Sequence, residues 1–138
     1  MILQECLNKK YFKEQQQKEI YVAFSFQNLT SLENDGHLIN LKRLYIEHNQ
    51  LTTLKGIELI PNLEKIWIHN NPLEDISNLK DLKYLEFIRA TKKSIPEKYH
   101  HFFNEFENIG GKKNVEKLQL FLKAEFNIKN QQTINLLF

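Results

Sequence analysis

The chain has 138 residues, 41% of them hydrophobic and 12% aromatic, which admits one domain with an ordinary core and excludes a disordered protein. Its 19 basic and 17 acidic residues leave a net charge of +2, too mild to require a nucleic acid or an anionic membrane as partner. Four glycines, three prolines and one cysteine exclude collagen, low-complexity linkers, disulfide scaffolds and cysteine-rich zinc folds.

The first residues, Met1-Ile2-Leu3-Gln4-Glu5-Cys6, lack the unbroken apolar run of a signal peptide. No window approaches the roughly 18 apolar residues of a membrane span. With Cys6 alone, no internal disulfide is possible, and the expectation is a reducing, cytoplasmic setting. Residues 2–18 are predicted as a helix, with Leu3, Leu7 and Tyr11 on one face and Gln15, Gln16, Gln17 and Lys18 in water. It is expected to cap the first strand, around residues 20–26, because an open stack of repeats exposes core at its ends.

A repeat of 22 residues follows. The anchors Leu41, Leu44, Ile46, Asn49 and Leu51 recur as Leu63, Ile66, Ile68, Asn71 and Leu73. One step forward lie Leu85, Ile88, Ala90, Lys93 and Ile95. One step back lie Glu19, Val22, Phe24, Gln27 and Leu29. About four copies of LxxLxLxxNxL thus run over residues 19–95, the outer two degraded. The LxL alternation predicts a short strand in each copy. Asn49 and Asn71 stand where the chain turns out of the strand, and an amide there both donates to and accepts from neighbouring backbone. Gln27 and Lys93 replace it in the outer copies, where weaker bonding is expected. Leu54, Ile57 and Ile60, then Ile76, Leu79 and Leu82, recur at threes and suit short 3₁₀ or α turns on an outer wall.

These residues resemble a leucine-rich repeat array of the 22-residue type found in phosphatase-regulating leucine-rich repeat proteins and bacterial internalins. Asn71-Pro72-Leu73-Glu74-Asp75-Ile76-Ser77-Asn78-Leu79 is close to the outer-wall pattern of that subclass. The resemblance covers a little over half of the chain. It implies an α/β solenoid with a parallel concave sheet and a 3₁₀/α convex side, as a small single domain over 1–138.

Residues 96–138 are predicted as a helical C-terminal cap, longer than the short cap common in eukaryotic members. Pro96 suits the first turn of a helix. Tyr99, Phe102, Phe103 and Phe106 follow at helical spacing, and Gly110-Gly111 ends the run. A second helix is expected from Asn114, with Val115, Leu118, Phe121 and Leu122 as its apolar face. The last segment, Thr133 to Phe138, is expected to pack onto this cap, a partner-binding tail being the alternative.

The residues between strand anchors face out of the concave side, and they sort into columns. The central column holds Ala23, Tyr45, Trp67 and Arg89. Beside it on one side stand Ser25, Glu47, His69 and Thr91, and on the other Tyr21, Arg43, Lys65 and Phe87. The outer columns hold Ile20, Lys42, Glu64 and Glu86, and Phe26, His48, Asn70 and Lys92. The sole tryptophan and both arginines of the chain fall on this face. Trp, Tyr and Arg are the residue types enriched in binding hot spots. Aromatic residues also ladder across adjacent strands for stability alone. The candidate partner-binding residues are Tyr21, Arg43, Tyr45, Glu47, His48, Lys65, Trp67, His69, Phe87 and Arg89.

Other signals carry less. His48, His69 and Glu47 are ordinary polar contacts before they are metal ligands, and no metal or cofactor is expected. Gly110-Gly111-Lys112-Lys113 lacks the GxxxxGK[ST] pattern of a phosphate loop and reads as a helix stop. Cys6 reads as a small buried residue.

The expectation is a non-enzymatic protein-binding module, monomeric when free, that grips a partner protein through its concave face. It would act as an inhibitor, for instance an immunity protein against a toxin, or as an adaptor. A phosphatase-type regulatory or assembly scaffold subunit is the alternative. Arg43 and Arg89 would meet acidic groups of the partner, and Glu47 and Glu64 basic ones. No nucleophile with a base and no paired carboxylates in a cleft point to catalysis. Aromatics and lysines on one face suit a single nucleic-acid strand, but Glu47, Glu64 and Glu86 on that face argue against it.

Overall fold

The computed structural model describes residues 1–137. Each repeat contributes a three-residue strand: β1 (Tyr21–Ala23), β2 (Arg43–Tyr45), β3 (Lys65–Trp67) and β4 (Phe87–Arg89). They lie side by side, all parallel. The middle residue of each, Val22, Leu44, Ile66 and Ile88, is fully buried, while its neighbours point to the opposite face. The ladder continues past the strands, with Phe24, Ile46 and Ile68 donating from their backbones to the carbonyls of Tyr45, Trp67 and Arg89 at 2.8, 3.0 and 2.9 Å.

The chain leaves β1, β2 and β3 through a left-handed residue, Phe26, His48 and Asn70 at φ 57°, 57° and 56°. Two buried asparagines satisfy the backbone around this turn. Asn49 Oδ1 accepts from the backbone N–H groups of Gln27 and Leu29 at 2.9 and 3.0 Å. Its Nδ2 donates to the carbonyls of Phe24 and Ile46, both at 2.9 Å. Asn71 repeats this one unit on, accepting from Leu51 N–H at 3.1 Å and donating to the carbonyls of Ile46 and Ile68 at 3.0 and 3.1 Å. Gln27 and Lys93, at the matching positions of the outer copies, are exposed.

The return wall carries 3₁₀ turns at Ile57–Leu59 and Ser77–Asp81. Leu54, Ile57, Ile60, Ile76, Leu79 and Leu82 all point from it into one column of core. Asn34, which no repeat pattern singled out, is buried on this wall and ties the carbonyls of Leu32 and Gly56 together at 2.9 and 3.1 Å.

The N-terminal segment is two helices, α1 (Leu3–Lys10) and α2 (Lys13–Gln16), rather than one helix over 2–18. Tyr11 and Phe12 are extended between them. The break turns Gln16 inward: it is 1% exposed, not in water as expected. Its amide meets Gln4, Asn8 and the Tyr11 carbonyl, each at 3.1 Å, and lies 2.8 Å from His37 Nε2. Leu3, Cys6 and Leu7 cover the first core layer, and Leu3 and Gln4 hydrogen-bond to the carbonyls of Ser31 and Glu33 at 3.0 Å.

The C-terminal part differs more from expectation. The run after Pro96 is a 3₁₀ turn, Glu97–Phe102, that buries Tyr99 but stops before Phe103. Phe106 is exposed and lies on no helix. The chain reverses there: Asn104 Oδ1 accepts from Phe106 and Asn108 backbone N–H groups at 2.9 and 3.0 Å, and Glu107 adopts φ 63°. The reversal sets a fifth strand, β5 (Asn108–Gly110), antiparallel against β4. A parallel stack left open at β4 would expose a row of unpaired backbone groups; β5 occupies them.

The last helix, α3 (Lys112–Leu137), packs Val115, Leu118 and Leu122 on the final repeat. The side-chain amide of Gln119 donates to the carbonyls of Leu79 and Leu82, both at 2.9 Å. Glu125 binds Lys98 Nζ at 2.6 Å and the Tyr99 hydroxyl at 2.7 Å. From Asn127 to Leu137 every residue is exposed. Residues 133–137 therefore do not pack onto the cap as expected: at 1.5 Å per residue, helix past Phe126 runs about 16 Å beyond its last contacts. Phe138 lies outside the described residues.

Candidate protein-binding face

The sheet register aligns the columns. Tyr21, Arg43, Lys65 and Phe87 are successive register partners, and so are Ala23, Tyr45, Trp67 and Arg89. A repeat that spans one full turn of the solenoid returns each position to the same place on the next strand, so residues 22 apart stand side by side.

Four aromatic rings cross this face without a gap. Tyr21 meets Tyr45 edge-on at 6.4 Å, Tyr45 stacks on Trp67 at 4.1 Å, and Trp67 leans on Phe87 at 5.1 Å. Tyr45, Trp67 and Phe87 are half-buried by each other, and Tyr21 at the end of the row is 58% exposed. A second row follows the left-handed turns, with Phe26 stacked on His48 at 4.4 Å and His48 edge-on to His69 at 5.5 Å. Phe26 is 72% exposed.

Polar groups lie between the rows. The Ser25 hydroxyl donates to Glu47 Oε1 at 2.5 Å, while Glu47 Oε2 and His69 Nδ1 are buried without a partner among the described residues. Burial and then the Arg89 charge hold His69 below the ordinary histidine pKa, which keeps its ring neutral near pH 7. Asn70 bridges the outer column, its Nδ2 lying 3.2 Å from His48 Nε2 and its backbone N–H donating to the Thr91 hydroxyl at 2.9 Å. Lys42 pairs with Glu64 at 3.5 Å.

All ten candidate residues stand on this one surface. The sequence reading missed its last column. Asn108 on β5 is the register partner of Arg89 and extends the central row, its Oδ1 buried without a partner among the described residues. Beside it, Glu107 accepts the Lys92 backbone N–H at 2.5 Å. The 22-residue period carries no signal for these two, since they arrive from an antiparallel return outside the repeat.

Among the described residues no three His, Cys, Asp or Glu side chains converge in a way that could hold a metal ion. Of the two histidines on the capping turn, His100 binds the Ile95 carbonyl at 3.0 Å and His101 lies over Phe102 at 4.1 Å. Cys6 is buried, with its thiol pKa raised chiefly by that burial. No helix among the described residues is long and apolar enough to cross a membrane.

Residues 39–81 match the family model for leucine-rich repeats, as two copies. No curated protein matches the chain. The match covers the two complete repeats that carry β2 and β3, hence Tyr45 and Trp67. Leucine-rich repeat domains generally mediate protein–protein interaction and are typically non-enzymatic.

Proposed function

We propose that the chain is a non-enzymatic binding module that grips a partner protein across β1 to β4, and that it acts as an inhibitor or adaptor. The observation that carries this reading is the continuous row Tyr21–Tyr45–Trp67–Phe87 on the free face of the sheet. Large rigid rings left half-covered by their own chain gain most when a partner covers the rest. An immunity-type inhibitor would lay this face over a toxin's working surface, and an adaptor would hold a partner whose activity continues.

Assignment to the 22-residue subclass rests on register, each strand pairing stepping by a constant 22 residues, from Tyr21 to Arg43 to Lys65 to Phe87. A scaffold role finds its support in the exposed end of α3, where Ile134, Leu136 and Leu137 offer a second surface away from the sheet.

Capture from native lysate by the wild-type chain, compared with the double variant Tyr45→Ala/Trp67→Ala, tests the reading. The expected result is a specific protein retained by the former and lost from the latter. Equal capture by both would place binding elsewhere. If the captured protein is an enzyme, its activity in the complex separates inhibitor from adaptor.

A further inference from the structure

The charges of the concave face are unevenly satisfied. Three of its carboxylates have a partner within the chain: Glu64 with Lys42 at 3.5 Å, Glu107 with the Lys92 backbone at 2.5 Å, and Glu47, by one oxygen only, with the Ser25 hydroxyl at 2.5 Å. Among the described residues its central cations have none: neither Arg43, Lys65 nor Arg89 forms an ion pair or donates a side-chain hydrogen bond to any group. Arg43 and Lys65 are direct register partners, so two like charges stand side by side on strands about 4.8 Å apart. Arg89 is the register partner of Trp67. The three cations therefore bracket the Tyr45–Trp67 stack, two of them two residues back along β2 and β3 and the third beside Trp67.

We infer that the concave face takes an acidic segment of a partner polypeptide, its carboxylates neutralising Arg43, Lys65 and Arg89 while an apolar side chain of the same segment lies on the Tyr45–Trp67 stack. This rests on the reading of that face as the binding surface. The two guanidinium groups suit carboxylates, which they engage through paired, charge-assisted hydrogen bonds. Carboxylates set between Arg43 and Lys65 also neutralise two like charges that stand as register partners. A nucleic-acid strand also brings anions, but one at every nucleotide. Some of its phosphates would fall against Glu47, Glu64 and Glu86, the last of which has no cation beside it among the described residues. A peptide places carboxylates only where cations stand.

Trp67 is the sole tryptophan, so intrinsic fluorescence reports on this face directly. A random-peptide display library is selected on the immobilised full chain, on Tyr45→Ala/Trp67→Ala, and on Arg43→Gln/Lys65→Gln/Arg89→Gln. The best tryptophan-free peptide is then titrated against Trp67 emission. Its Asn/Gln counterpart and an oligothymidylate of similar length are titrated in parallel. The expected result is enrichment of peptides with Asp or Glu beside Phe, Leu or Ile on the wild-type chain. Affinity should fall about tenfold for each charge pair removed, from either side. The Asn/Gln peptide makes this comparison on the unaltered protein, so poor folding of the triple variant leaves the result readable. Neutral or basic peptides whose enrichment depends on Trp67 would leave the binding face standing and overturn the acidic partner. Oligothymidylate binding as tightly as the acidic peptide would overturn it in favour of a nucleic-acid strand. The same clones from wild type and Tyr45→Ala/Trp67→Ala would remove the binding-face reading and this inference with it.

Discussion

The rings of Tyr45 and Trp67 stack with centroids 4.1 Å apart and planes 14° from parallel, on the face of the sheet turned away from the core. Such a pair stabilises a fold by about 0.5–1.5 kcal/mol beyond its area. Urea unfolding of the wild type, Tyr45→Ala, Trp67→Ala and the double variant should give a coupling of about 1 kcal/mol. Every variant should remain folded. A loss above about 4 kcal/mol for either single change would mean that the pair belongs to the core, and a coupling near zero that the stack adds nothing to stability.

Asn71 is a different kind of residue, though it lies only four positions from Trp67. It is 1% exposed and is the only hydrogen-bond partner of the Leu51 N–H among the described residues, at 3.1 Å. Replacing it with leucine keeps the size but strands that donor and the Ile68 carbonyl, and leaves the Ile46 carbonyl with the Asn49 amide alone. Each stranded buried group costs about 1–3 kcal/mol, so Asn71→Leu should destabilise by roughly 3 kcal/mol or more. Lys93, at the equivalent position one repeat on, is exposed, and Lys93→Leu should stay within about 0.5 kcal/mol. Similar denaturation midpoints for the two variants would refute the asparagine ladder as a source of stability.

The concave columns were legible because repetition at a fixed period is both a sequence property and a register: Arg43, Lys65 and Phe87 share a column for the same reason that Leu44, Ile66 and Ile88 share a core. What escaped has no period. Asn108–Gly110 is three residues with no alternation, and it is a strand because β4 needs an edge partner. Gln16 looked like a solvated glutamine. Its burial depends on Gln4 and Asn8 of α1 and on His37 arriving from elsewhere in the chain, and hydrophobic spacing cannot announce a polar network. The length of α3 escaped because its buried apolar stripe ends at Leu122, whereas neither glycine nor proline interrupts residues 112–137 and the helix continues without a core to pack on.

Gly56 separates two costs that glycines usually combine. Its φ is 106°, and an added Cβ would lie 2.5 Å from the Leu32 carbonyl oxygen, on the backbone of the preceding repeat. Gly111 has a φ of 92° with nothing within 4 Å of such a Cβ. Gly111→Ala should thus show backbone strain alone, about 1 kcal/mol, and Gly56→Ala strain plus a clash that neither backbone can evade, about 3 kcal/mol. Thermal unfolding of both variants makes the comparison. Equal losses would show that the close approach of the two repeats at Gly56 is not what requires glycine there.

Tyr99 gives the C-terminal cap an alkaline signature. Its hydroxyl is buried and donates to Glu125 Oε1 at 2.7 Å. Burial first, and then the bond to the Glu125 carboxylate, push its pKa from 10.0 up to about 12. Because the folded value lies above the unfolded one, the neutral phenol's contribution is fully present below pH 10 and is lost as pH rises towards 12. Tyr99→Phe should lose about 1 kcal/mol near neutral pH, for the missing hydrogen bond, and should then decline less steeply through the alkaline range. Lys98 shares Glu125, and that hydrogen bond raises its pKa, so Lys98→Met is the control that isolates the phenol. The direct measurement is tyrosinate absorbance. The chain has five tyrosines, and the last component to ionise should vanish in Tyr99→Phe while persisting in Lys98→Met. Identical titration curves for wild type and Tyr99→Phe would mean that the phenol is not held between the capping turn and α3.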